Sequence, residues 1–187
     1  VDGFEKNNQY SYFEPKVHKM SFPRKEYPKA EGKKPWSLAE AKTKLAAYCA
    51  YQERCQEEVR TKLAERKIFG EDAENLIVLM IEEGFLNEER FAKAYARGKF
   101  NLNHWGRNKI QQELKWRKIS AYCIKQAMKE IDGEEYWQTI VKLAARKSQA
   151  MKEKSDLALR YKTSTYLISR GFEPDLVEEA LNEVIPK

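Results

Sequence analysis

Gly106-Arg107-Asn108-Lys109-Ile110-Gln111-Gln112-Glu113-Leu114-Lys115-Trp116-Arg117-Lys118-Ile119 decides the fold, because its pattern recurs before and after it in the chain. Laid over the other copies, Val59, Ile110 and Thr163 coincide, then Leu63, Leu114 and Leu167, then Arg66, Arg117 and Arg170, then Ile68, Ile119 and Phe172. Apolar residues four apart put one stripe on a helix. Self-similarity at a period of roughly fifty residues marks an array of small modules stacked side by side.

The sequence around each copy supplies two more helices. Ser37 with Glu40 forms a capping box, and Leu38, Ala41, Leu45, Tyr48 and Cys49 follow at helical spacing. The pattern predicts helices over 55–67 and 72–83, with Val59 and Leu63 facing inward and Gly84 as a C-terminal stop. Asn87 caps a helix bearing Phe91, Ala94 and Tyr95; helices over 106–118 and 120–131 complete the second unit. A third unit spans 136–152, 155–169 and 174–184, with Pro174 in a first turn. The expected class is all-α: a tandem array of three three-helix, helix-turn-helix-like units, elongated and curved. The units divide at 37–84, 85–132 and 133–187, behind an arm of residues 1–36. That arm holds four of the six prolines, with aromatics and lysines in no periodic order, and reads as mobile.

Composition narrows the function. The formal charge of +6 arises from 35 basic and 29 acidic residues, so it favours a polyanionic partner without requiring one. The two histidines and three cysteines have no metal-ligand spacing, so neither metal nor cofactor is expected. Cys49 and Cys123 read as core, and Cys55, behind Gln52-Glu53-Arg54, as partly exposed. No window approaches the roughly 18 apolar residues of a membrane span, and the start lacks a secretion signal, which predicts a cytoplasmic protein. No phosphate loop, dinucleotide fingerprint, nucleophile elbow or metalloprotease helix is present, and the paired acids lie at helix ends or on polar faces. An enzyme is not expected.

The basic residues carry the remaining information. Arg97, Lys99, Arg107, Lys109, Lys115, Arg117 and Lys118 surround the turn Asn103-His104-Trp105-Gly106. Cations at 107 and 109 oppose the usual dipole preference at a helix start, which suggests an end arranged for phosphate or an acidic partner; a solvated face is the competing reading. His104 reads as a turn residue, and Trp105 as a core anchor rather than a base-stacking platform. A second basic run holds Arg146, Lys147, Lys152, Lys154, Arg160 and Lys162. The third helices of the first and last units are acidic, which disfavours major-groove reading by them.

Two segments in order, Gly84-Phe85-Leu86-Asn87-Glu88-Glu89-Arg90-Phe91-Ala92 with Tyr95 and Arg97, then Trp105-Gly106-Arg107-Asn108-Lys109-Ile110 with Glu113-Leu114, resemble the central signature of the RecX regulatory proteins. The resemblance covers roughly residues 37–184. It departs from the family at Arg117-Lys118, where a lysine-glycine turn is common, and at Asn87, where aspartate is common. It implies a bacterial cytosolic protein that binds RecA and the RecA–DNA filament and limits ATP hydrolysis, strand exchange and coprotease activity, without catalysis of its own. Single-stranded or duplex DNA is a possible second partner, and a monomer is expected. Charge placement nominates Arg97, Arg107, Lys109, Lys115, Arg117 and Lys118 for contact, then Arg146 and Lys147. Two rival readings remain: a DNA-binding helical module acting without RecA, and a helical adaptor for another protein.

Overall fold

The computed structural model describes residues 34–151 and 155–185. Most of the arm therefore lies outside the described residues. Within them the chain forms helices α1 (Leu38–Tyr51), α2 (Gln56–Ala64), α3 (Gly70–Glu82), α4 (Glu88–Asn103), α5 (Arg107–Trp116), α6 (Ala121–Met128), α7 (Gly133–Gln149), α8 (Asp156–Ser169) and α9 (Pro174–Val184), and no strand. Helices pack in consecutive threes: α1 and α2 on α3, α4 and α5 on α6, and α7, α8 and α9 on one another. The all-α tandem array read from the sequence is the fold.

Local chemistry sets the helix starts. The Glu40 amide donates to the Ser37 hydroxyl, and the Ser37 amide to the Glu40 carboxylate at 2.9 Å, closing the predicted capping box. Asn87 accepts from the Arg90 amide at 2.8 Å, and Asp132 from that of Glu135 at 2.9 Å. Pro174 begins α9, where no amide hydrogen is needed.

The repeat is written into the backbone at the end of each middle helix. Lys67, Lys118 and Gly171 take φ of 64°, 58° and 92°, the left-handed conformation that closes a Schellman turn. The amides of Ile68, Ile119 and Phe172 then donate back to Leu63, Leu114 and Leu167 at 3.1, 3.1 and 3.3 Å. All six of those side chains are buried, as are Val59, Ile110 and Thr163 one turn earlier. Arg66, Arg117 and Arg170, just ahead of the turn, each lie over an aromatic ring, of Trp36, Tyr95 and Tyr166, at 4.7, 4.9 and 5.1 Å. Lys118 thus adopts the conformation that glycine would take at no cost, and the departure noted at Arg117-Lys118 leaves the turn intact.

Two hydrophobic cores result, not three. The smaller joins α1, α2 and α3 through Leu45, Leu63, Ile77 and Met80. The larger runs from α4 to α9, with Phe100, Tyr136 and Phe172 in a chain of tilted rings 5.6 and 5.4 Å apart. Cys55 corrects the sequence reading: it is 2% exposed and belongs to the larger core. It sits at the N-cap of α2, where the second group of helices covers it. Several boundaries also shift. α2 stops at Ala64 because the Schellman turn follows, and α3 begins at Gly70, ahead of the expected residue 72. α7 starts earlier than expected, at Gly133, because Asp132 caps it.

Candidate interaction surface

The start of α5 is where the sequence placed an anion-binding helix end, and the structure fills it from within. Gly106 donates its amide to the Arg170 carbonyl at 2.9 Å, and Asn108 to that of Gly171 at 3.0 Å. Between them the Arg107 amide donates to the Tyr136 hydroxyl at 3.0 Å, and that hydroxyl donates to Glu173 at 2.5 Å. The amides a bound phosphate would use are taken by the third group of helices, which corrects the sequence reading. Burial, followed by the Glu173 hydrogen bond, pushes the Tyr136 phenol well above its ordinary range, so it stays protonated as a donor. The Arg107 guanidinium lies 4.0 Å over the Tyr136 ring and 3.9 Å from Glu173. Arg170 completes the joint by donating to the Asn103 carbonyl at 2.6 Å, at the end of α4. The Trp105-Gly106-Arg107 segment is thus a seam between helix groups.

The other nominated cations divide by what holds them. Arg97 on α4 reaches Glu130 at 2.7 Å. Arg117 meets Glu113 at 2.6 Å beneath Tyr95, whose phenol burial pushes up to about 12. Lys118 extends to Glu57 of α2 at 3.0 Å while remaining 74% exposed. Lys109 lies 4.4 Å over Trp105, which packs on the larger core, as an anchor should. Lys147 lies 5.1 Å over Tyr166. Lys115 and Arg146 are exposed, and neither has an ion-pair partner among the described residues.

Five of the eight nominated residues, 107, 109, 115, 117 and 118, therefore share α5 and its turn, while Arg97 is tied across to the turn after α6 and Arg146 and Lys147 end α7. Of the second basic run, Arg160 is withdrawn. It bonds the Leu181 and Ile185 carbonyls at 3.0 and 2.6 Å and Glu178 at 2.7 Å, closing the C-terminus of α9. Lys152 and Lys154 lie outside the described residues.

One residue was missed from sequence. Trp116 is 67% exposed beside Lys115, and it lines an open groove of about 420 Å³ with Lys109, Gln112, Ile168 and Phe172. Its signal was present: it stands off the Ile110–Leu114 stripe, where a large apolar residue has no core to enter. Among the described residues no helix is long and apolar enough to cross a membrane, and no cluster of histidine, cysteine and carboxylate suits a metal.

A tandem of three-helix, helix-turn-helix-like units with an apolar seam and a basic, aromatic middle helix defines the class: an all-α helical-repeat protein. The chain belongs to the RecX family. Residues 87–128 match the family's second three-helix domain and residues 134–181 its third. The Regulatory protein RecX of Clostridium perfringens is 30% identical over 122 residues, 64% of this chain and 57% of that protein. That of Clostridioides difficile is 24% identical over 146 residues, 78% and 68% of the two chains. The RecX of Bacillus cytotoxicus is 24% identical over 138 residues, 74% of this chain but 51% of that one, so the chain spans about half the length of this relative. The crystal structure of RecX from Lactobacillus salivarius superposes with a TM-score of 0.69 at 21% identity, covering 79% of this chain and 96% of that one. A second RecX crystal structure gives 0.70 at 22% identity, covering 76% and 72%.

Proposed function

We propose that this protein is a cytoplasmic regulator that binds RecA and the RecA–DNA filament and restrains ATP hydrolysis, strand exchange and coprotease activity, and so tempers recombination, repair and the SOS response. Membership of the RecX family, whose relatives carry the name regulatory protein, is the observation that carries this reading. The chemistry agrees with it: a surface of mixed charge along α5 suits a partner that presents protein and phosphate together. The array divides, on this reading, at 37–84, 85–132 and 133–187. Contact falls first to Lys115 and Arg146, the nominated cations with neither an internal carboxylate nor a ring beneath them, with Lys109, Lys147 and Trp116 beside them. The paired cations Arg97, Arg107, Arg117 and Lys118 contribute to the extent that a partner displaces Glu130, Glu173, Glu113 and Glu57. The role does not require duplex sequence reading, since α9 is acidic and the start of α5 is occupied.

RecA ATP hydrolysis on single-stranded DNA, titrated with this protein, tests the reading. Inhibition well below the RecA concentration supports it. An absence of effect at excess, with the DNA shown not to be covered, rules it out in favour of an adaptor for another protein.

A further inference from the structure

The three groups of helices are held by two joints of different composition. The second joint, between α4–α6 and α7–α9, is a continuous apolar core reinforced by backbone hydrogen bonds from Gly106 and Asn108. The first joint, between α1–α3 and α4–α6, is ionic. Arg90 meets Glu53 at 2.5 Å, and Lys118 meets Glu57 at 3.0 Å. Cys55 is the one buried residue of 38–82 that enters the larger core. The first joint also leaves polar atoms unmet: Glu53 Oε2 and Arg54 Nε are buried with no hydrogen-bond partner. The linker between α3 and α4 is fastened by Arg90, whose Nη2 donates to the Gly84 and Phe85 carbonyls at 3.1 and 3.4 Å.

We propose that the first joint is an ionic latch: Glu53 and Glu57 hold Arg90 and Lys118, and loss of those pairs lets α1–α3 swing away and frees both cations for an anionic partner. The proposal extends the contact surface described above, but the latch itself is a property of the chain alone. Exposed pairs of this kind are held weakly and are screened by salt, whereas an apolar seam is not. Arg107–Glu173 at the second joint is backed by the Phe100–Tyr136–Phe172 rings, so the same treatment leaves it closed. Lys118 is the informative member of the contact set, because its internal carboxylate, Glu57, lies across the first joint. An anion that captures Lys118 therefore competes with the first group for its place.

Spin labels on the full chain test this without any partner. Tyr51→Cys on α1 and Tyr122→Cys on α6 are exposed positions at 87% and 63%, and the native Cys49, Cys55 and Cys123 are at most 8% exposed, so labelling is selective. The distance distribution across the first joint is expected to be narrow at about 50 mM salt and to broaden or shift by more than its own width at about 1 M, where the screening length is a few ångström. Glu53→Gln with Glu57→Gln is expected to broaden it at low salt, as is Lys118→Glu alone, and the charge swap Glu57→Lys with Lys118→Glu to narrow it relative to that single variant. A control pair across the second joint, Tyr122→Cys with Leu157→Cys, is expected not to respond. A first-joint distribution unchanged by high salt in the parent chain overturns the latch, even where the double variant loses helicity. Failure of RecA inhibition leaves this measurement untouched, so the two readings fall separately.

Discussion

Gly106 and Gly171 touch backbone to backbone: a Cβ on Gly106 would stand 2.2 Å from the Gly171 carbonyl carbon, and one on Gly171 would stand 2.3 Å from the Lys109 Cβ. Neither neighbour is a flexible side-chain tip, so nothing can yield cheaply. Gly106→Ala is expected to cost about 3 kcal/mol, the upper end of the usual overpacking range, read as a large fall in melting temperature. Gly98→Ala, in the middle of α4 with nothing within 4 Å of its Cβ, is expected to stabilise by up to about 1 kcal/mol. A Gly106→Ala variant that melts with the parent would refute the seam.

Thr163 is fully buried, and its hydroxyl has no hydrogen-bond partner. The same position in the other two repeats holds Val59 and Ile110. Thr163→Val keeps the shape and removes the unmet donor, which predicts a gain of about 1 kcal/mol in chemical denaturation. A loss of stability instead would mean that the hydroxyl is satisfied in solution.

Lys67 carries a left-handed backbone at φ 64°, and its side chain is exposed. Lys67→Gly relieves the steric cost of a Cβ there, and a gain of up to about 1 kcal/mol is expected in urea unfolding. Lys118→Gly is a poorer choice, because it also removes the pair with Glu57.

The two pushed-up phenols set an alkaline limit. Tyr136 and Tyr95 give up their protons at higher pH in the folded chain than in the unfolded one, so the folded chain retains protons there that the unfolded chain has lost. Their contribution is whole below the ordinary tyrosine value of about 10 and is lost as pH climbs through about 12 for Tyr95 and beyond for Tyr136. Stability is expected to decline over that window. Tyr136→Phe is expected to remove the highest-titrating step from the phenolate absorbance curve.

Lys115→Glu and Arg146→Glu are each expected to weaken inhibition of RecA ATP hydrolysis by about tenfold, with helicity unchanged, because each reverses an unpaired charge on the proposed contact surface. Arg97→Glu is expected to act less directly, since it also breaks the pair with Glu130 that ties α4 to the turn after α6. Full inhibition by both of the first two variants would move the contact surface elsewhere.

The repeat was legible because local chemistry specifies it. Leu63, Leu114 and Leu167 mark the stripe, a buried residue follows each Schellman turn, and Ser37, Asn87 and Pro174 announce helix starts within a few residues. What the sequence concealed was decided across long separations. Cys55 looked half exposed beside Gln52, Glu53 and Arg54, and its cover comes from the next group of helices. The cations at 107 and 109 looked like an anion site because Tyr136, Arg170, Gly171 and Glu173, which fill it, lie far along the chain. Arg160 looked like free surface charge for the same reason: its acceptors belong to α9. No periodicity in a window of fifteen residues encodes such partners.

The unequal partition of the interior governs what can be exchanged. A break between α6 and α7 would lay open Phe100, Tyr136 and Phe172 together, so α4–α9 must be inherited, expressed and engineered as one piece. The segment α1–α3 owns its interior and meets the rest largely through charge, so it can be replaced by another three-helix cassette if carboxylates are kept opposite Arg90 and Lys118. Variation among related chains is therefore expected to be freest at that end, where a change of partner costs the interior nothing.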